Sequence, residues 1–170
     1  DEEESTPWEV IKEARKQGLQ GLEYMQATAA DEQGQMQVIA AEEMHWGCAG
    51  IALSIAGSGL AAAGIASSGT TEQMQEWVPK CFSSADEVHL GAYAVTEPSA
   101  GSAVKSLRTT AKLEGDEWVL DGTKVFITNG GIADVTVVVA SVDPELGTRG
   151  QASFIVPKDT PGLSQGKKED

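Results

Sequence analysis

The chain has 170 residues, 41% of them apolar and 22% charged, with 26 acidic residues against 12 Lys and Arg and a formal net charge of −14. This fits a soluble globular protein of one ordinary or two small domains, long enough for a core that needs no disulfides. The acidic balance argues against nucleic acid and anionic membrane as partners, no run of 18 apolar residues is present to span a bilayer, and no secretory signal is visible.

Asp1 to Glu4 are expected to fray. Thr6-Pro7-Trp8-Glu9 reads as a helix start, with Thr6 as N-cap, Pro7 in the first helical position and Glu9 reaching back; Gly18 and Gly21 end that helix. A second helix is predicted from Gln35 into the fifties, because Met36, Ile39, Ala40, Met44, Gly47, Ile51 and Ile55 fall near a 3.6-residue period. An Ala-rich third covers about Leu60 to Ser68 and stops at Gly69. Thr70 to Gln73 is a capping-box pattern opening a fourth helix through Trp77 towards Phe82.

The character changes near residue 88. Strands are predicted at 90–96, 106–114, 117–121, 123–128, 135–142 and 151–156. Gly115-Asp116 and Asp121-Gly122 read as hairpin turns, Pro144 and Gly147 as a looser one, and Pro157 and Pro161 close the last strand. Helices followed by strands, without alternation, imply an α+β fold: a helical segment over 1–88, then an antiparallel β domain over 89–170. The chain starts without Met and ends in Lys167-Lys168-Glu169-Asp170, so it reads as a piece of a longer protein.

Gly57-Ser58-Gly59-Leu60-Ala61-Ala62 matches a dinucleotide-binding fingerprint, but residues 70–78 are polar and helical where a parallel strand should follow. The small residues are read instead as letting two helices pack closely. His45 and Cys48 lie three apart, yet His89 and Cys81 do not complete a metal set, and no metal is expected. Cys48 and Cys81 form no CxxC pair, which favours a reducing compartment. Trp8, Trp46, Trp77 and Trp118 are expected as core anchors. Lys105, Arg108 and Lys112 read as a solvated face, with an anion contact near Ser102 as the alternative.

Residues 92–102, AYAVTEPSAGS, run from a strand into a turn almost bare of side chains. Thr96, Ser99 and Ser102 offer hydroxyls there, and Ala100 and Gly101 offer backbone N–H groups. Local chemistry alone leaves two readings level, an anion nest for a pyrophosphate or heterocycle edge and a tight turn that happens to be small. Residues 123–135, TKVFITNGGIADV, again end a strand at a hydroxyl, Thr128, before Asn129-Gly130-Gly131 turns the chain. On a strand, Phe126 and Thr128 share a face, which can hold the face and edge of an isoalloxazine ring.

The stretch Tyr93 to Ser102 resembles the TEPxAGS signature of acyl-CoA dehydrogenases. Residues 115–130, GDEWVLDGTKVFITNG, resemble that family's second signature; 150–163, GQASFIVPKDTPGL, resemble its later strands, and 40–55 the helix preceding them. The resemblance covers about residues 36–166. It implies FAD, held by Tyr93, Val95, Thr96, Gly101 and Ser102 and by Phe126, Ile127 and Thr128, with Thr128 near flavin N5 and Ser102 also touching the CoA of an acyl-CoA substrate. It implies a homodimer or homotetramer that passes electrons to an electron-transfer flavoprotein or similar acceptor, in the cytoplasm or, in a eukaryote, the mitochondrial matrix.

In the implied reaction a carboxylate takes the α-proton of the thioester while the β-hydrogen leaves as hydride to the flavin, and hydrogen bonds to the thioester carbonyl stabilise the developing enolate. The family's base and C-terminal helical domain match nothing here; Glu97 belongs to the turn motif, so no catalytic residue is assigned, and residues 1–170 alone are expected to be inactive. Ala103 stands where the family usually has Asp, and Phe126 where it usually has Trp, keeping the stacking surface without the indole N–H. A related flavin oxidase or monooxygenase and a non-catalytic binding module are the alternative readings, separated by oxygen reactivity and by the presence of bound flavin.

Overall fold

A computed structural model describes residues 6–84 and 87–166. The acidic start expected to fray, and residues 167–170, lie outside the described residues.

Helix α1 runs Trp8–Lys16 and buries Ile11 and Ala14. Pro7 is its N-cap and no side chain caps it, so the expected Thr6 capping box is absent; the Trp8 N–H bonds the Thr6 carbonyl at 2.8 Å instead. Its end is a Schellman turn: Gly18 takes φ 72°, its N–H bonds the Arg15 carbonyl, and the Leu19 N–H reaches the Ala14 carbonyl. Helix α2, Leu22–Ala29, was not signalled by periodicity and buries only Thr28, although Met25 packs on the core.

The long helix expected from Gln35 is two helices. α3, Gln35–Gly47, and α4, Ala49–Ala56, meet at Cys48, whose backbone is extended. No residue of α3 is buried. α5 spans Ser58–Ser68 and stops at Gly69, close to the expected range. α6, Thr71–Trp77, carries the expected capping box: the Gln73 N–H bonds Thr70 Oγ1 at 3.2 Å, and the Thr70 N–H bonds Gln73 Oε1 at 2.9 Å.

The strands are β1 Gly91–Ala94, β2 Thr110–Glu114, β3 Glu117–Asp121, β4 Val135–Ser141 and β5 Gln151–Pro157. They form one sheet in the order β1-β4-β2-β3, with β5 also on β4. β2 and β3 make the hairpin expected at Gly115-Asp116, and β4 and β5 pair antiparallel from Val135↔Pro157 to Ser141↔Gln151. β1 is parallel to β4, and β2 touches β4 in parallel through Thr110↔Ser141. Helices precede strands as the α+β reading requires, but the sheet is mixed and not wholly antiparallel.

The strand expected at 123–128 does not form. Its only ladder-like bond runs from the Val125 N–H to the Thr96 carbonyl at 2.9 Å, and Phe126 takes φ 56°, which no extended strand accommodates. Asp121-Gly122 is therefore not a hairpin turn, and strand parity does not put Phe126 and Thr128 on one face.

Strand alternation places β1 between two cores. Gly91 lies against Ala61 and Cys81, while Ala92 joins Ile11, Leu90 and Ala133. Ala61, Ala62 and Ile65 of α5 form the larger cluster with Val78, Cys81, Phe82, Val135 and Val137. The small residues of the fingerprint-like stretch thus seat α5 on a strand; they do not join two helices. A Cβ at Gly64 would lie 2.8 Å from the Tyr93 ring, and one at Gly91 2.8 Å from the Ala61 Cβ. Of the four tryptophans only Trp77 packs against a core; Trp8 and Trp46 are exposed, and exposed Trp118 meets Phe154 with ring planes tilted by 60° and centroids 5.4 Å apart. The α4–α5 stretch Ala49–Ser68 is long and apolar enough to cross a membrane by length and hydropathy alone; Ala52, Ile55, Ala61, Ala62 and Ile65 on it are buried against protein, while Leu53 and Leu60 are exposed.

Candidate cofactor site

The first turn closes on itself. The Glu97 N–H bonds the Ala100 carbonyl at 2.9 Å and the Ala100 N–H returns to the Glu97 carbonyl at 3.0 Å. The Ala100 N–H expected as an anion donor is thereby spent, and Ala100 is buried. Gly101 and Ser102 are exposed, a Cβ at Gly101 would meet open space, and their N–H groups make no hydrogen bond among the described residues. Two adjacent backbone donors and a hydroxyl remain to meet an anion.

Glu97 points the other way, into the protein. Its Oε1 accepts from the Thr109 N–H at 2.9 Å, the Thr109 hydroxyl at 2.5 Å and Lys124 Nζ at 2.8 Å; its Oε2 accepts from the Arg108 N–H at 2.6 Å. The ion pair is deep, with the side chains of Lys124 and Glu97 only 10% and 3% exposed. Burial pushes the Glu97 carboxyl up, but the bonds from Lys124, Thr109 and the Arg108 and Thr109 backbone outweigh it and bring it down to about 2. A carboxylate so paired is a structural anion and a poor proton acceptor.

Lys124 also donates to the Val95 carbonyl at 3.0 Å. Together with the Val125 N–H on the Thr96 carbonyl, this joins residues 95–97 to 124–125. The sequence reading passed over Lys124. The available signal was a lone basic residue in an otherwise apolar run, which needs a counter-charge when buried.

The second turn is pinned from beneath. Asn129 takes φ 62° and its Nδ2 donates to the Gly91 carbonyl at 3.1 Å and to Ser58 Oγ at 3.5 Å; Ser58 Oγ accepts the Gly91 N–H at 3.0 Å. A Cβ on Gly57 would lie 2.6 Å from the Thr128 methyl, so the α4–α5 junction seats this turn directly. Ile127 packs on the smaller core cluster. Phe126 is 73% exposed in a left-handed conformation that disfavours a bulky residue, a strain held by the surrounding contacts.

Of the expected site residues, Gly101, Ser102, Phe126 and Thr128 are exposed, while Val95 and Thr96 are half-buried where the two turns join. Half-buried Tyr93 packs against the larger core cluster, over Gly64. An open aromatic face, free hydroxyls on Thr96, Ser102 and Thr128, and unspent N–H groups suit a cofactor with a flat ring and an anionic tail. A groove of about 380 Å³ lies elsewhere, lined by Ile65, Trp77, Trp118, Val137 and Phe154 among others, and contains no residue of either turn. Among the described residues no group of three His, Cys, Asp or Glu is placed to hold a metal; the His45 ring bonds the Ala41 carbonyl.

A helical unit leading into a mixed sheet that presents two small hydroxyl-bearing turns is an α+β scaffold with a candidate binding edge, and comparison with known proteins narrows it. The acyl-CoA dehydrogenase N-terminal domain profile matches residues 1–85 and the middle domain profile residues 92–170. The chain belongs to the acyl-CoA dehydrogenase family. It is 46% identical over 134 residues to the mitochondrial short-chain specific acyl-CoA dehydrogenase of Bos taurus, covering 78% of this chain and 32% of that protein. A structure described as the electron transferring flavoprotein of Acidaminococcus fermentans superposes with TM-score 0.84 at 33% identity, over all of this chain and 44% of that one. A glutaryl-CoA dehydrogenase from Mycobacterium smegmatis in complex with FADH2 gives TM-score 0.66 at 35% identity, over 76% of this chain and 32% of that one. The chain thus spans a third to under half the length of these relatives.

Proposed function

We propose that this chain forms the flavin-holding part of an FAD-dependent acyl-CoA dehydrogenase, with a helical unit to residue 88 and a β unit from 89. The carrying observation is that the two signature turns, far apart in sequence, are bonded to each other through Lys124, Val95, Val125 and Thr96. In this reading Gly101 and Ser102 donate to the cofactor's phosphates and Ser102 also to CoA. Phe126 and Ile127 cover the ring, Thr128 bonds its edge near N5, and Tyr93, Val95 and Thr96 line its other side. Bound FAD would accept the β-hydrogen of the thioester as hydride. The chain's own contribution is to bind, orient and shield that ring.

Short-chain acyl-CoA is the first substrate to test, since the bovine relative is named short-chain specific. An electron-transfer flavoprotein is the proposed acceptor, and a homodimer or homotetramer the proposed assembly. The proposed compartment is the cytoplasm, or the mitochondrial matrix in a eukaryote. The test is to purify the native protein, record its flavin spectrum and add butyryl-CoA without oxygen. Bleaching of bound flavin is expected, and Thr128→Ala should alter the spectrum or slow the bleaching. A colourless protein that takes up no FAD would overturn the reading.

A further inference from the structure

We propose that the buried Glu97–Lys124 pair is a positioning device that fixes the spacing of the two cofactor-facing turns. This rests on the flavin reading above. Three segments meet at the pair, residues 95–97, 108–109 and 124–125. Lys124 Nζ joins the Val95 carbonyl at the end of β1 to the Glu97 carboxylate in the first turn. Glu97 in turn gathers the Arg108 and Thr109 N–H groups and the Thr109 hydroxyl just before β2. The next residue, Val125, bonds Thr96. Thr96 therefore sits one residue from Glu97, and Phe126 two residues from Lys124, the members of a buried, hydrogen-bonded ion pair.

The two halves of this device differ chemically. The carboxylate side binds backbone donors within one region of the sheet and supports the fold. The lysine side reaches a backbone carbonyl in the other turn, and so governs where the two turns stand relative to each other. Removing Lys124 alone strands a buried carboxylate, which destabilises strongly; removing both charges relieves that penalty but leaves the Val95 carbonyl without its donor. Stability and cofactor affinity should therefore separate, whereas a pair that only held the fold would move both together.

The experiment uses the native protein and three variants, Lys124→Met, Lys124→Met/Glu97→Gln and Thr109→Val. For each, the melting temperature of the apoprotein and the FAD dissociation constant, by flavin fluorescence titration, are measured. Lys124→Met should lower both stability and affinity. The double variant should recover most of the lost melting temperature yet bind FAD at least tenfold more weakly than wild type. Wild-type affinity in a folded double variant would overturn the proposal. Should the double variant not fold, the two single variants decide: Thr109→Val, on the fold-supporting side, should lower the melting temperature with FAD affinity within twofold of wild type while Lys124→Met binds at least tenfold more weakly, and equal affinity losses in the two would overturn the proposal. A wild-type protein that binds no FAD would overturn the cofactor reading and this inference together, while normal wild-type binding with an unaffected double variant removes the inference alone.

Discussion

Four donors converge on the Glu97 carboxylate at a position only 4% exposed. Its folded value of about 2 lies below the ordinary 4.5, so the folded state holds fewer protons than the unfolded one between these values. The stability it contributes is fully present above about pH 4.5 and is lost as pH falls towards 2. A drop of that size corresponds to about 3 kcal/mol. Urea unfolding followed between pH 6 and pH 2.5 should show this loss, and Glu97→Gln, which has nothing to titrate there, should flatten it by a comparable amount. An equally steep profile in the variant would place the acid sensitivity elsewhere. Asp134 is the competing group. Burial opposes its ionisation, but Lys158, the Leu90 N–H and His89 hold its carboxyl below the usual range, and it remains in both proteins.

At the scale of elements, glycines decide how closely α5 lies on β1. A Cβ at Gly91 would sit 2.8 Å from the Ala61 Cβ and 3.0 Å from the Cys81 Cβ, atoms tied to the backbone. Gly91→Ala should therefore cost about 1–3 kcal/mol through overpacking. A Cβ at Gly64 meets the Tyr93 ring, which can swing, and alanine gains up to about 1 kcal/mol of helix propensity. Gly64→Ala should be close to neutral for stability while displacing a residue proposed to line the cofactor. Denaturant midpoints that rank the two the other way would contradict this seating. Helix α3 is the opposite case, with no buried residue and with Val38, Ile39 and Trp46 exposed, Trp46 to 88%. Sedimentation of residues 1–170 should show concentration-dependent association that Ile39→Glu/Trp46→Glu reduces, since apolar area of this kind favours contact over water. A monomer at all concentrations would refute it.

These elements also separate what the sequence could disclose from what it could not. The α6 capping box and the Gly115-Asp116 hairpin are local devices within four residues, and both were legible. The break at Cys48 and the coil at 123–128 were not, because periodicity counts apolar residues and is blind to a left-handed Phe126 or an extended Cys48. Parallel pairing of β1 with β4 depends on a contact across more than 40 residues that no local pattern encodes. The signature turns were legible as motifs, but their mutual bonding through Lys124 was not, since it joins residues 27 and 29 positions apart.

For the whole molecule the question is whether residues 1–170 can do chemistry by themselves. Abstracting the α-proton of a thioester requires a carboxylate within about 3 Å and with a pKa near the working pH. Glu97 is the carboxylate of the first turn, and it fails on both counts: its oxygens are occupied by four donors, and at about 2 it is too weak a base; Asp134, at the end of the second stretch, is taken up by Lys158 and the Leu90 N–H, and Asp116, Glu117 and Asp121 belong to the β2–β3 hairpin. The chain also spans only 32% of the bovine relative and 44% of the longest-covered structure quoted above. Its Phe126 face is exposed and leaves a ring seated there open to water. An open site screens the electrostatic help that an enolate needs. Residues 1–170 are therefore expected to bind FAD weakly and to leave the acyl-CoA unchanged. The check is to mix the chain with FAD and butyryl-CoA in D2O without oxygen, and to follow α-proton exchange by NMR and flavin absorbance in parallel. Background exchange and unbleached flavin are the expected result. Stoichiometric bleaching, or exchange well above background, would mean that the base lies among these residues and that Glu97 has been misread.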